Sequence, residues 1–484
     1  MKKKEKKNFD VIKFANIFGK ILFGVVTIFL LLFLIMVIFT NILPFKYLIV
    51  LIIFSILIEV VFAYFLIKKD TLWFKITISF LAILMCFFTS IGTIYLNNTY
   101  NFFKNIVSSE YEGINYNVVV LKDGKYSNIK SLNNEVLGFL DENSNDVKKT
   151  LEKELSFQNK IYDNVGELKK ELIAETIPAI VIDDSMLTIL KEEDETFEKL
   201  IKVIYNFSVQ TKVSNNPTSN ITISKDSFAL YISGIDQWGS VSTVRGRSDV
   251  NIVAIVNPKI HKVLLINTPR DYYVQLHGKT GLKDKLTHAG VYGIDMSLNT
   301  LEDLYDINID YYLRVNFDTL VKLVDVIGGI EVYSDKTFIS SHQRDWKIKE
   351  GMNKMDGKQA LAYSRERYAY KEGDRHRGKN QQDVITAIIK KASSSKVILT
   401  KYNSILDTLE GSFQTNISTD MITGFIKEQI DKMPKWEVEQ IAVSGSDAHE
   451  YTYSYGTNQK LYVMFPFEKD IESAKKRIDD VYEK

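Results

Sequence analysis

One cysteine, Cys86, stands in 484 residues, and it falls inside a long apolar run. A disulfide framework is therefore excluded, and the polar part of the chain depends on its core for stability. Charge of one sign is also missing: 61 lysines and arginines meet 60 aspartates and glutamates, for a formal net charge of +1. That balance excludes a nucleic-acid binder that works by general electrostatic attraction. Arginine is scarce and late. There are ten against 51 lysines, and none precedes residue 245. The stretch from Tyr111 to Val213 has no arginine, no histidine and no glycine-rich phosphate loop, so no chemistry is assigned to it.

What is present first is hydrophobic length. After Lys2, Lys3, Lys4, Lys6 and Lys7 come three apolar runs, about Phe18 to Thr40, Tyr47 to Ile67 and Ile76 to Leu96. Each is near the ~20 residues that a helix needs to cross hydrocarbon. Lys68, Lys69 and Lys75 lie between the second and third runs and Lys46 alone between the first and second, so the positive-inside rule puts the N-terminus in the cytoplasm. Three spans then carry everything after about Asn97 outside the cell membrane. A cleaved signal peptide is the rival for the first run, which is too long for an h-region and lacks a small-residue cleavage site. Glu59 is the one acid inside a span. An intramembrane carboxylate is a functional candidate because burying it charged is expensive, with a protonated or helix-paired glutamate as the alternative.

The external chain divides near Asn215. Residues Tyr111 to Val213 read as a small α/β unit: an apolar run at Tyr116–Leu121, helical patterns through Leu151–Ile173, and a second run at Ile177–Ile182. Val213 to Asn220, with Pro217 and several Asn and Ser, has linker composition. From Ser227 strands and helices alternate. Phe228–Ile232, Val250–Val256 and Lys262–Ile266 are β-rich, and Asn257 with Pro258 makes the turn between the latter two. Helical spacing follows at Leu298–Tyr305 and Phe317–Ile327, a strand at Ile330–Tyr333, helices at Gln381–Ala392 and Met421–Met433, and a strand at Val438–Val443. The alternation predicts an α/β/α sandwich from about residue 221 to 484, beside an α/β accessory domain at 98–220 and the membrane part at 1–97.

Six of the ten arginines form three Arg-x-Arg pairs: Arg245/Arg247, Arg365/Arg367 and Arg375/Arg377. Guanidinium is a planar fork that grips phosphate or carboxylate bidentately and keeps its charge. Residues two apart on extended backbone face one side. If the pairs converge they make a pocket for a group with several negative oxygens, for which pyrophosphate is the natural candidate; scattered surface salt bridges are the alternative. Acids sit among them. Asp236 follows the first strand, Arg247 and Asp249 precede the second, and Arg270 with Asp271 ends the third. Loops at sheet edges are where rigid scaffolds place binding groups. A carboxylate there either orients a guanidinium or shares a Mg²⁺ ion with phosphate oxygens. Asp236 and Asp249 are the metal candidates, since each flanks a strand that could set them side by side.

These residues carry a family resemblance. Gly234-Ile235-Asp236, Gly246-Arg247-Ser248-Asp249, Pro269-Arg270-Asp271 and Lys285-Leu286-Thr287-His288-Ala289 resemble, in order, motifs of the LytR-CpsA-Psr family. So do Val326-Ile327-Gly328-Gly329-Ile330, Ala360 to Arg367, and Gly373-Asp374 followed by Arg377 and Gln381-Gln382. Three spans and an intervening unit resemble most the streptococcal capsule, CpsA-type branch. Two positions depart from the usual pattern: Trp238 and Asn380 stand where many members have arginine, and Arg245, Arg375 or Lys379 is the available substitute charge.

The resemblance implies an extracytoplasmic phosphotransferase that moves a glycopolymer, here capsular polysaccharide, from a polyprenyl-pyrophosphate carrier to peptidoglycan through a phosphodiester. It implies Asp236 and Asp249 as ligands of Mg²⁺ or Mn²⁺. Arg247, Arg270, Arg365, Arg367 and Arg377 match the pyrophosphate-binding arginines, Gln381 the glutamine against the head group, and Asp374 an acid near the reacting phosphate; Lys285 is a further phosphate ligand. Asp374 either accepts the proton of the acceptor hydroxyl or orients Arg377. The partners expected are the lipid-linked polysaccharide, peptidoglycan, the membrane and capsule-export proteins, with no nucleic acid. A polyprenyl-pyrophosphate hydrolase and a noncatalytic regulator of chain length or export remain alternatives at this point.

Overall fold

The computed structural model describes residues 2–69, 71–106, 111–140, 145–212, 226–235, 245–393 and 411–482, with 401, 404–405 and 407–408 between. Asp236, Trp238 and the linker at Val213–Asn220 lie outside the described residues. Two compact units result, one of Met1–Asn105, Tyr402–Asp407 and Ser418–Pro434, the other of Ile106–Lys401, Thr408–Ile417 and Lys435–Lys484.

The first unit is built on three apolar helices, Ile12–Thr40, Phe45–Lys68 and Leu72–Phe102, each long enough to cross a membrane. Their shared core is small, with Leu22, Val26, Phe62, Leu66 and Ala82 buried. The second helix ends in a π turn, Tyr64–Lys68, and buried Lys75 donates to the Leu66 carbonyl at 2.9 Å. Glu59 accepts from the Thr27 hydroxyl at 2.8 Å, so its partner is helix-borne. The helix expected at Met421–Met433 spans Thr419–Lys432 and joins this unit, not the sandwich. Its charged groups explain why: Lys427 donates to the Asn41 side chain at 2.6 Å and Asp431 pairs with Lys46. Asn41 and Lys46 flank the turn between the first two apolar helices.

The second unit contains two sheets. The five-stranded sheet has the order Gln158–Tyr162, Val136–Leu140, Ala179–Asp183, Tyr111–Leu121, Ile201–Lys212. The helical pattern expected through Leu151–Ile173 is interrupted there by the strand Gln158–Tyr162, whose register with Val136–Leu140 is parallel. Tertiary pairing overrides the local helical preference. Helices Val165–Ile173 and Asp184–Glu193 bury Leu168, Leu172, Leu187 and Leu190 on one face of the sheet, in a cluster that also takes in Val291, Tyr455 and Leu461.

The six-stranded sheet runs Phe413–Thr415, Tyr311–Asn316, Phe228–Ile235, Ser248–Asn257, Lys262–Asn267, Glu437–Ala442. Helices Ile294–Tyr305 and Glu468–Tyr482 pack Leu298, Leu301, Ile471 and Ile478 against Tyr231, Val253, Leu264 and Ile266. The helix Asp374–Ala392 covers the opposite face, where the Gln382 amide donates to the carbonyls of Leu265 and Ile441. Two helical layers around one sheet give the expected α/β/α sandwich. Strands 228–235, 311–316, 262–267 and 437–442 are parallel in one sense, while Ser248–Asn257 runs against its neighbours. Their carboxyl ends therefore share one edge with the start of Ser248–Asn257, the edge where open α/β sheets bind ligands.

Candidate functional site

The edge is shaped by a bulge. Gly234 pairs with Val250 and Ile235 with Ser248, so Asp249 is an extra residue on its strand. A bulge re-aims a side chain beside a site. A Cβ at Gly234 would lie 2.7 Å from the Val250 side chain, which is why glycine stands there. Beneath it the Tyr231 hydroxyl donates to Asn251 Oδ1 at 2.7 Å and the Asn251 amide holds the Ser248 carbonyl at 2.8 Å. The strand start carrying Asp249 is thus fixed by buried hydrogen bonds.

Asp249 reaches two groups. One carboxylate oxygen accepts from Arg270 at 2.7 Å and the other from the Thr287 hydroxyl at 3.0 Å. Burial alone raises its pKa, but Arg270, Arg247 and Arg377 outweigh burial and hold it below the ordinary carboxylate value. Arg270 follows the strand Lys262–Asn267 through Thr268 and Pro269, and its Nε lies 3.6 Å from Asp271. Burial disfavours its charge; Asp249, Asp271, Asp374 and Glu192 more than restore it.

The facing wall is the helix Asp374–Ala392, which begins seven residues before the expected Gln381. Gly373, at φ 54°, precedes it, and Asp374 sits in its first turn, where an acid suits the helix dipole. Asp374, Arg377, Gly378 and Gln381 then fall on one stripe at helical spacing. Arg377 pairs with Asp374 at 2.8 Å. Burial raises the Asp374 carboxyl, and Asp271 and Asp249 add to this against Arg377 and Arg270. Gly378 admits the close approach: a Cβ there would sit 2.1 Å from Asn267 Nδ2. Between the walls lies a cavity of about 90 Å³ lined by Asp249, Arg270, Asp374, Arg375, Arg377 and Gln381, with Asn267, Thr268, Pro269, Gly378 and Ala442–Ser444 completing it.

The arginine pairs do not each aim two forks at one ligand. Arg375 and Arg377 lie on a helix, not on extended backbone, and diverge: Arg375 donates to the Gly445 carbonyl at 2.7 Å and to Asp447 at 3.0 Å. Arg365 ends the helix Gly357–Arg365 and lies over the Phe317 ring at 4.4 Å. Arg367 is exposed, with its guanidinium 3.0 Å from the Tyr368 hydroxyl. Neither of that pair lines the cavity. Arg245 lends its backbone carbonyl to the Ser185 hydroxyl. Arg247 meets Glu192 through both terminal nitrogens, NH2 at 2.8 Å, and Lys285 meets Glu193 at 2.6 Å. Glu192 and Glu193 belong to the segment to which the sequence assigned no chemistry, and Asn267 and Thr287 were not named as site residues either; Arg375 was named as a pair member and a substitute charge. Two glutamates closing the last turn of Asp184–Glu193, against the helix dipole, were the readable signal.

Among the described residues no cluster of three His, Cys, Asp or Glu could hold a metal alone. Asp249 supplies one ionised hard-oxygen donor, which fits a cation shared with phosphate oxygens and not an all-protein cage.

The LytR_cpsA_psr family matches residues 197–470. A polyisoprenyl-teichoic acid–peptidoglycan teichoic acid transferase TagU of Enterococcus faecalis is 32% identical over 272 residues, 56% of this chain and 84% of that protein. Biofilm regulatory protein A of Streptococcus mutans is 34% identical over 239 residues, 46% of this chain and 59% of its own length. The solved structure of TagT bound to LIIa-WTA aligns with TM-score 0.46 and 26% identity over 57% of this chain and all of that one.

Proposed function

Because the chain belongs to the LytR-CpsA-Psr family, we propose that it is a membrane-anchored phosphotransferase that takes a glycopolymer from a polyprenyl-pyrophosphate carrier and joins it to peptidoglycan through a phosphodiester. The observation that carries the reading is the cavity where Arg270 and Arg377 face Asp249 and Asp374 at the carboxyl edge of the sheet. Phosphoryl transfer asks little covalent work of a protein; it asks for neutralised charge and a placed nucleophile. Arg270, kept charged by its ring of acids, and Arg377 supply preorganised positive charge toward the bridging and terminal phosphate oxygens. Asp374, its carboxyl raised by burial, takes the proton of the acceptor hydroxyl as that oxygen bonds to the phosphorus next to the saccharide, the bridging P–O bond breaks and polyprenyl phosphate leaves. Gln381, one turn beyond Arg377, lines the same cavity and sits to hold the head group.

Asp249, with Asp236 as the family resemblance implies, would hold a Mg²⁺ or Mn²⁺ ion shared with phosphate oxygens, and such an ion would add further charge neutralisation. The proposed glycopolymer is a capsular polysaccharide, a reading supported by the three apolar helices and the intervening sheet; the TagU relative is named for teichoic acid. With the N-terminus cytoplasmic, the chain leaves the third apolar helix on the outer side. The turn between the first two helices then lies on that side too, which fits the contacts of Lys427 and Asp431 with Asn41 and Lys46.

The test uses the full chain in proteoliposomes with a polyprenyl-pyrophosphate-linked saccharide, peptidoglycan fragments and Mg²⁺, read by mass spectrometry. A phosphosaccharide adduct lost in Arg270→Ala and Asp249→Ala is the expected result. Free saccharide phosphate without adduct would make the enzyme a hydrolase and overturn the transfer.

A further inference from the structure

Two cations at the sheet edge are seated by the accessory sheet's own acids. Arg247 and Lys285 are both buried, with side chains 8% and 5% exposed. Buried cations require paired anions. Their partners are adjacent in sequence, Glu192 and Glu193, on the last turn of the helix Asp184–Glu193. Glu192 grips Arg247 through both carboxylate oxygens, in the fork geometry that a phosphate group also offers. Glu193 places one oxygen 2.6 Å from Lys285 Nζ. Glu192 lies toward solvent, 46% exposed, while Glu193 is half-buried at 19%.

The helix that bears them is not arranged for their sake. Its N-terminus is capped by Asp183, which accepts from the Ser185 and Met186 amides at 3.0 Å. Its C-terminal turn carries the partial negative charge of the helix dipole, the unfavourable end for two glutamates. A local rule broken at one spot marks a place where something other than helix stability sets the residues.

We infer that Glu192 and Glu193 occupy the seats of two anionic substrate oxygens, so that the accessory unit competes with pyrophosphate for Arg247 and Lys285. This rests on the pyrophosphate reading of the cleft: Arg247 and Lys285 lie outside the residues that line its cavity, with Arg247 near enough to lower the Asp249 carboxyl. An entering pyrophosphate exchanges one set of anionic oxygens for another at these cations, and the last turn of the helix is released to solvent. Arg270, which meets Asp249 and Asp271 directly and Glu192 only through its longer-range field, stays in place through the exchange. The accessory sheet thereby sets how tightly the cleft takes an anion, without itself touching the reacting phosphate.

The test uses full-length protein in nanodiscs with inorganic pyrophosphate as probe. Titration calorimetry compares the native protein with the double variant Glu192→Gln, Glu193→Gln, and hydrogen–deuterium exchange follows residues 184–200. The expected result is about tenfold tighter pyrophosphate binding in the double variant, a usual size for a coupling between two sites. Pyrophosphate should also speed exchange at the end of that helix in the native protein. Unchanged or weaker binding in a variant whose helix keeps slow exchange at Met186 to Leu190 overturns the inference. So does native protein that binds pyrophosphate with no change in exchange at 184–200, and in both cases the phosphate cleft stands. Absence of pyrophosphate binding in both proteins overturns the cleft reading and this inference with it.

Discussion

An aspartate stands at the edge of each sheet, Asp183 buried and Asp249 largely so, and their carboxyls move in opposite directions. Asp183 ends a strand of the five-stranded sheet; burial pushes it up to about 6, against the Met186 and Ser185 amides and Arg245. Asp249 starts a strand of the six-stranded sheet and is held low, because Arg270, Arg247 and Arg377 outweigh the same burial. One acid is a helix cap that folding tolerates. The other is the centre of a charge array that no helix or strand needs. The difference lies in the balance: two backbone amides and one guanidinium, Arg245, do not offset burial at Asp183, whereas three guanidinium groups do at Asp249.

Asp249→Asn should produce the largest effect. Removing the charge leaves Arg270 buried with less compensation, at a cost of about 3 kcal/mol, and takes away a preorganised electrostatic group at a cost of about 10²–10³ in turnover. The pH dependence has a definite sign. A carboxyl lowered in the folded state contributes stability above its unfolded value near 4, and that stability is lost as pH falls through the folded value. Thermal melts from pH 7 down to pH 2 should therefore show the native protein losing its advantage over Asp249→Asn at acid pH. A constant gap across that range would sink the account.

Asp374→Asn tests a third aspartate, half-buried, which shares a cavity with Asp249 yet is raised like Asp183. The proposed proton acceptor must be ionised, so under that proposal kcat/KM of the native enzyme should fall as pH drops through a value above the ordinary carboxylate range. The variant should lose about a hundredfold in rate, at the low end for general acid–base groups, and should lose that acid limb as well. A limb that persists in the variant assigns the titration to another group.

How much of this contrast could be read from the chain differs between the two sheets. The apolar runs gave the strands of the six-stranded sheet nearly to their ends, because Phe228–Ile235 and Lys262–Asn267 are buried and β-branched or aliphatic over most of their length. The strand Gln158–Tyr162 was not legible, since four of its five residues are exposed and only Tyr162 is buried. Asp249, Arg270, Asp374, Arg377 and Gln381 were found by their motifs and meet around one cavity. The geometry of the arginine pairs was not, because the helix starts at Asp374 and turns Arg375 away from Arg377. Nor does spacing along a sequence reveal a contact such as Arg247 with Glu192, which joins residues 55 apart.

Asp183→Asn sharpens the comparison from the other side. Asparagine caps a helix about as well as aspartate, and it removes the penalty of ionising a buried group. A carboxyl raised in the folded state gives stability that is fully present below its unfolded value near 4 and lost as pH rises through about 6. At pH 7 the native protein has lost it, so the variant should be more stable by about 1–2 kcal/mol, and the gain should vanish at pH 4. Melting curves at the two pH values check this, with transfer activity unchanged because Asp183 lines no part of the cavity.

The smallest effect belongs to Arg367, and it decides how far the arginine array extends. Its guanidinium is exposed and rests on Tyr368, 5.1 Å from the ring centroid. Arg367→Ala should therefore change stability by no more than about 0.5 kcal/mol, as surface substitutions do. Its family resemblance assigns it to pyrophosphate, while its position places it beyond the cavity walls, so the two expectations separate in the kinetics. If the observed position is the working one, turnover falls far less than in Arg270→Ala, because only a solvent-screened charge is removed. A loss equal to that of Arg270→Ala, with the melting temperature unmoved, would show that the segment after Arg365 swings its charge into the cleft during the reaction. The paired assay of Arg367→Ala and Arg270→Ala, run at two salt concentrations, makes the distinction, since a screened charge loses its effect in high salt and a buried one keeps it.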